Sequence, residues 1–136
     1  MKESLSERNR EDLTAYRLSR ASETLQEADY ISRGGYYNAA VNRLYYAVYY
    51  AASALLIKAK IEASTHKGVL NQLGLQYISK GILDVKYGTI YSRLFQARQA
   101  GDYEDFIYCD KTMYEDFRPM AEQFIEKMKI LIKQIQ

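Results

Sequence analysis

A chain of 136 residues with one proline, seven glycines and 48% hydrophobic residues is expected to form one domain over 1–136, too poor in turn residues for a β fold. Nineteen lysines and arginines against seventeen acids leave a net charge of +2, which excludes a whole-surface field for nucleic acid, so such binding would need a local patch. The lone Cys109 excludes an internal disulfide and a cysteine-rich zinc site and suits a reducing, cytoplasmic setting; Met1-Lys2-Glu3-Ser4 has no apolar signal core, and no run reaches the ~18 residues of a membrane span, so export and membrane insertion are not expected.

The first helix is predicted to begin near Ser4 or Asn9, with Ser4 and Glu7 forming a capping box, and to carry a stripe of Leu18, Ala21, Leu25 and Ala28 before Gly34-Gly35 ends it. A second opens at Tyr36 or Tyr37. Its Tyr37, Ala40, Leu44, Ala47, Ala51 and Leu55 recur at helical spacing, and Val41, Val48 and Ala52 widen the apolar face, so it should be the most buried. Thr65 can cap a third helix, marked by Val69, Leu70, Leu73 and Tyr77 and closed by Lys80-Gly81. The fourth runs from about Leu83, with Tyr87, Ile90, Tyr91, Leu94 and Phe95 inward, to Arg98, and Gly101 should interrupt it. The last, from about Asp110, holds Met113, Phe117, Met120, Phe124, Met128, Leu131 and Ile135 at alternating spacings of three and four, with Pro119 expected to kink it or shift its start. Four long helices and one shorter one, joined by short loops, predict an all-α, up-down antiparallel bundle.

No spacing here specifies a self-sufficient catalytic or metal-binding motif, and no cofactor is implied. Six of the chain's 14 tyrosines crowd the second helix, Tyr36, Tyr37, Tyr45, Tyr46, Tyr49 and Tyr50, which spread around its circumference and cannot all face one core. Packing rings with their hydroxyls in water are the commoner arrangement, and a base-stacking platform that includes Tyr46 is the alternative. His66 stands in Ser64-Thr65-His66-Lys67-Gly68 at a helix start, where free backbone N–H groups and Lys67 could hold a phosphate. The commoner outcome is a cap with an exposed histidine; alone, His66 makes no metal site. Arg43, in a helix otherwise apolar or aromatic, needs a carboxylate, a surface outlet or an anionic ligand. Arg98-Gln99-Ala100-Gly101-Asp102-Tyr103 gathers a cation, an acid and a phenol near a helix end that could grip a phosphodiester, or could simply fasten the turn through an Arg–Asp pair.

Asn38-Ala39-Ala40-Val41-Asn42-Arg43-Leu44-Tyr45-Tyr46-Ala47 resembles the second-helix signature of the HEPN superfamily, and the segments STHKGV from Ser64 and RQAGDY from Arg98 are similar to two further blocks of a stand-alone bacterial and archaeal branch. The resemblance spans about residues 10 to 130. It implies a bundle of four to five helices that commonly dimerises. Many such domains are metal-independent endoribonucleases, often toxins paired with a nucleotidyltransferase antitoxin, whose active residues are an arginine and a histidine four to six positions later. Arg98 matches the arginine, but Tyr103 stands where the histidine would, and no histidine lies downstream. Some are silenced by nucleotide addition to a tyrosine two positions past that histidine; Asp105 occupies that position here, with Tyr103 and Tyr108 nearby.

Three readings follow. The first is a toxin-like or nucleic-acid-binding component, dimeric, meeting RNA or a nucleotidyltransferase near Arg98, Asp102 and Tyr103. The second is a ribonuclease with a variant centre, Arg98 holding the phosphate and His66 or Tyr103 moving the proton. The third is an interaction module whose tyrosine-rich helix forms a permanent dimer surface.

Overall fold

A computed structural model of the chain describes residues 5–103 and 109–135, without the side chains of 100–103. In order it runs α1 (Glu7–Arg33), α2 (Tyr37–Lys58), α3 (His66–Leu73), a π-helical turn (Gly74–Ile78), α4 (Val85–Tyr103) and α5 (Lys111–Lys133). Among the described residues there is no strand. The chain is the expected all-α bundle.

Ser6, whose hydroxyl accepts the Asn9 N–H at 3.1 Å, caps α1. The box expected at Ser4 lies outside the described residues. Glu7 in the first turn complements the positive helix end. At the other end Gly35 turns the chain at φ 82°, a region that costs a residue with a side chain about 1–2 kcal/mol.

The short turn returns α2 along α1 and sends it through the centre, where it touches α1, α3, α4 and α5. Leu44, Val48, Leu55 and a run of alanines are fully buried on it. Small side chains let the neighbouring backbones close in, and each fully buried leucine contributes about 1.5–3 kcal/mol. This is the most buried helix, as its pattern predicted.

Thr65 caps α3 by accepting the Gly68 N–H at 2.8 Å. A side chain at Gly68 would place its Cβ 2.8 Å from the Thr65 hydroxyl oxygen, so cap and glycine specify each other. The α-helix predicted to continue to Lys80 instead ends at Leu73, and the chain widens into the π turn. There the Ser79 N–H reaches back to the Gly74 carbonyl at 2.8 Å, and the N–H groups of Ile82 and Leu83 converge on the Tyr77 carbonyl at 2.9 and 3.2 Å. This seats Leu83 in the core.

Gly101 does not interrupt α4, which continues to Tyr103; one interior glycine costs only about 1 kcal/mol. Arg98 is therefore held inside a helix. Helix α5 starts where expected, capped by Asp110, and runs through Pro119 without a shifted start. The proline forfeits one bond, to the Glu115 carbonyl. Its buried face is Tyr114, Phe117, Ala121, Phe124, Ile125, Met128, Leu131 and Ile132, whereas Met113, Met120 and Ile135 are only half-buried. Arg118 fastens α5 to α1 through both oxygens of Asp29, at 2.8 and 2.9 Å.

Candidate functional site

The spacing of Tyr91, Phe95 and Arg98 places them on one face of α4, against the part of α2 that carries Tyr45, Tyr46, Tyr49 and Tyr50. The Arg98 guanidinium carbon sits 5.2 Å from the Tyr45 ring centre, 5.6 Å from Phe95 and 5.7 Å from Tyr46. Its Nη1 donates to the Tyr46 hydroxyl at 3.3 Å, and its Nε is buried without a hydrogen-bond partner. Among the described residues no carboxylate pairs with it. Ring faces attract the cation but do not neutralise it, so it keeps a pull on an incoming anion.

The α3 cap delivers His66 to the same rings. Its imidazole stacks on Tyr49 at 4.2 Å and lies 5.6 Å from both Tyr45 and Tyr46. Nδ1 is 2.6 Å from the Tyr45 hydroxyl oxygen, which is 3.1 Å from the Tyr91 hydroxyl. Tyr91 in turn donates to the His66 carbonyl at 2.9 Å. Burial first, then the Arg98 charge, hold the imidazole below its ordinary pKa. Burial pushes the Tyr45 phenol up to about 12 and raises Tyr91 as well, so both stay protonated at neutral pH.

The structure thus brings Arg98, His66 and Tyr46 together. Arg43 joins at the edge, 4.9 Å from the Tyr46 ring centre. It bonds the Asn42 side-chain oxygen at 3.0 and 3.3 Å and lies 3.9 Å from Glu27, the structural partner its surroundings demanded. Lys67 is exposed and makes none of these contacts. Asp102 and Tyr103 close α4 with side chains outside the described residues, as are Asp105 and Tyr108. An exposed His66, the commoner outcome for a cap, is not what the fold provides; the ring is half-buried. Nor are all the tyrosine hydroxyls in water, since Tyr45 is fully buried and bonded. Tyr49 also walls a cleft of about 470 Å³ shared with Arg10, Arg17 and Lys60.

Sequence reasoning missed Tyr45, Tyr49, Tyr91 and Phe95 as members of the site. The last two were read as core, and their shared face with Arg98 was the available signal. Among the described residues no three of His, Cys, Asp and Glu group closely enough to hold a metal ion, and no helix is long and apolar enough to cross a membrane.

A family model described as the HEPN domain matches residues 14–131, nearly the whole bundle and every residue of this cluster. The chain belongs to the HEPN family. The UPF0332 protein of Thermotoga maritima is 31% identical over 126 residues, covering 93% of this HEPN chain and 96% of its own. A Methanocaldococcus jannaschii protein provisionally named a toxin is 30% identical over 138 aligned positions, covering 99% of each chain. A second protein of that organism, provisionally named in the same way, is 28% identical over 112 residues, covering 82% of this chain and 76% of its own.

Proposed function

We propose that this HEPN chain is a toxin-like component that cleaves RNA without a metal, Arg98 holding the scissile phosphate and His66 moving the 2′-hydroxyl proton. The observation that carries this is the meeting of Arg98 and His66 on the Tyr45 and Tyr46 rings. An imidazole whose pKa lies below the ordinary ~6.5 is a neutral base at pH 7, whereas an unperturbed phenol, at ~10, is still protonated there and is a far weaker base. His66 therefore suits the proton transfer better than Tyr103.

In the step, the 2′-oxygen bonds to phosphorus as the bond to the 5′-oxygen breaks. The 2′-hydroxyl proton passes to His66, the departing 5′-oxygen takes a proton from water, and the imidazolium returns its proton to solvent. The products are a 2′,3′-cyclic phosphate and a 5′-hydroxyl. Arg98 offsets the charge gathering on the non-bridging oxygens. The half-buried rings of Tyr46, Tyr49 and Tyr50 offer stacking surface to the flanking bases, and Arg43 and Lys67 offer charge to the backbone.

The names of the two Methanocaldococcus relatives support the toxin-like part of the reading. It carries two protein partners with it: a second copy of the chain, and a nucleotidyltransferase serving as antitoxin.

The test is a labelled single-stranded RNA incubated in EDTA with the wild type, Arg98→Ala and His66→Gln. Cyclic-phosphate ends from the wild type alone are expected. Binding without cleavage would remove the catalysis and leave a nucleic-acid-binding component. Neither binding nor cleavage at excess protein would overturn the proposal.

A further inference from the structure

Tyr45, Tyr91 and His66 form a closed ring of hydrogen bonds, and counting its protons fixes more than the distances do. The His66 carbonyl oxygen can only accept, so the single Tyr91 hydroxyl proton is committed to it at 2.9 Å. With that proton spent, the Tyr91 oxygen can only accept across the 3.1 Å contact from Tyr45. The single Tyr45 proton is then spent as well, and the Tyr45 oxygen, 2.6 Å from Nδ1, must receive a proton from the imidazole. Every hydrogen is used once, and no other assignment satisfies all three contacts.

We infer that Tyr45 and Tyr91 are positioning residues that lock neutral His66 in the Nδ1–H tautomer, leaving Nε2 as the atom that accepts the substrate proton. Among the described residues Nε2 has no hydrogen-bond partner, and in this tautomer it is the nitrogen that carries the lone pair. When Nε2 takes up a proton, Nδ1 keeps its own and no hydroxyl has to turn. The base can therefore cycle between its two states in a fixed frame, which is what a proton-transfer group needs. Both tyrosines are fully buried, so water does not compete for the bonds. The tautomer stands on this geometry alone; its meaning for catalysis rests on the ribonuclease reading above.

Because the chain has one histidine, its imidazole nitrogens can be read without assignment in a long-range ¹H–¹⁵N correlation spectrum of uniformly labelled protein. Above the His66 titration the wild type is expected to show a protonated Nδ1 and a bare Nε2. Tyr91→Phe frees the Tyr45 proton, which should swing to Nδ1 and drive the imidazole to the Nε2–H form. Tyr45→Phe removes the acceptor and should give a mixture of the two forms. RNA cleavage by Tyr91→Phe is expected to fall on the order of 100-fold, the contribution of a correctly placed acid–base group.

A wild type with Nε2–H as its major form overturns the inference, whatever its activity, and needs no variant to fold. A wild type with Nδ1–H, together with a folded Tyr91→Phe that keeps that form, overturns the assigned role of Tyr91. Nδ1–H in a wild type that cleaves no RNA leaves the tautomer intact and sinks only the ribonuclease reading.

Discussion

Arg98 and His66 come from different helices yet meet on the same two phenol rings, those of Tyr45 and Tyr46. One consequence is electrostatic. Partial burial, and after it the Arg98 charge, make the protonated imidazole unfavourable, so the ring favours its neutral form beside the guanidinium. A guanidinium and a neutral imidazole are thereby kept side by side without a carboxylate between them among the described residues.

Cleavage should rise with pH through a midpoint below the ordinary histidine value of ~6.5 and then level off. The groups facing His66 are Tyr45, Tyr46 and Tyr49 from α2 and Tyr91 and Arg98 from α4. The two buried phenols stay neutral over this range, so one rising limb is expected. Replacing Arg98 with methionine removes the cation and should move the midpoint of the His66 NMR titration upward. For stability the sign is the same: the unfolded chain binds the proton more readily, so the His66 contribution is present above ~6.5 and is lost as pH falls below it. A His66 midpoint above 6.5 would refute the arrangement.

Arg98→Ala should lower cleavage about 10²- to 10³-fold, the cost of removing one charge-stabilising donor, while moving the melting temperature little. Arg98→Lys should recover only part of the loss, since an ammonium keeps the charge but not the planar group that covers three rings. A merely structural Arg98 would give the opposite pattern, a lower melting temperature with binding and cleavage intact. Calorimetry beside the EDTA cleavage assay separates the two.

How much of this was legible in the sequence depended on distance along the chain. Helices marked by repeating apolar residues were readable because burial imposes a period, and Thr65 was readable because the N–H it accepts lies three residues on. The π turn was not, since the i+5 bond of Ser79 to Gly74 leaves no compositional mark. For the site, Arg98, His66 and Tyr46 were singled out separately by charge, rarity and position. That they share one platform was invisible, because it depends on how α3 and α4 sit against α2. Tyr45 and Tyr91 read as ordinary packing residues, which their rings are. Their hydroxyls acquire a role only through contacts across 21 and 46 positions.

The short helix that carries His66 depends on its cap, so Thr65→Ala should destabilise the protein by about 1 kcal/mol and loosen His66 from Tyr49. Gly68→Ala should do comparable damage by a different route, its Cβ displacing the Thr65 hydroxyl from 2.8 Å. The double variant should then be less destabilised than the sum of the two, because both remove the same hydrogen bond. Thermal melts of the three proteins decide it; strict additivity would mean the cap is not what Gly68 serves.

Far from these rings, the Asp29–Arg118 pair predicts how the bundle responds to acid. Arg118 donates to both carboxylate oxygens, and Tyr114 donates to one of them. The Arg118 hydrogen bonds are the main reason the Asp29 carboxyl is held below its ordinary pKa. A depressed folded pKa makes the carboxylate stabilising above the unfolded value of ~3.9, and that stability is lost as pH falls through the folded value. The side chains retain 25% and 31% of their exposure, so screening trims the contribution to about 1–2 kcal/mol. Asp29→Asn should therefore melt about 3–8 °C lower than the wild type at pH 7, with the gap steady down to about pH 5 and closing below ~4, as the carboxyl of the unfolded chain and then, at lower pH, that of the folded one takes up its proton. Melts across that range test it: an equal gap at pH 3, or none at pH 7, would show that the clamp does not join α1 to α5 as its geometry implies.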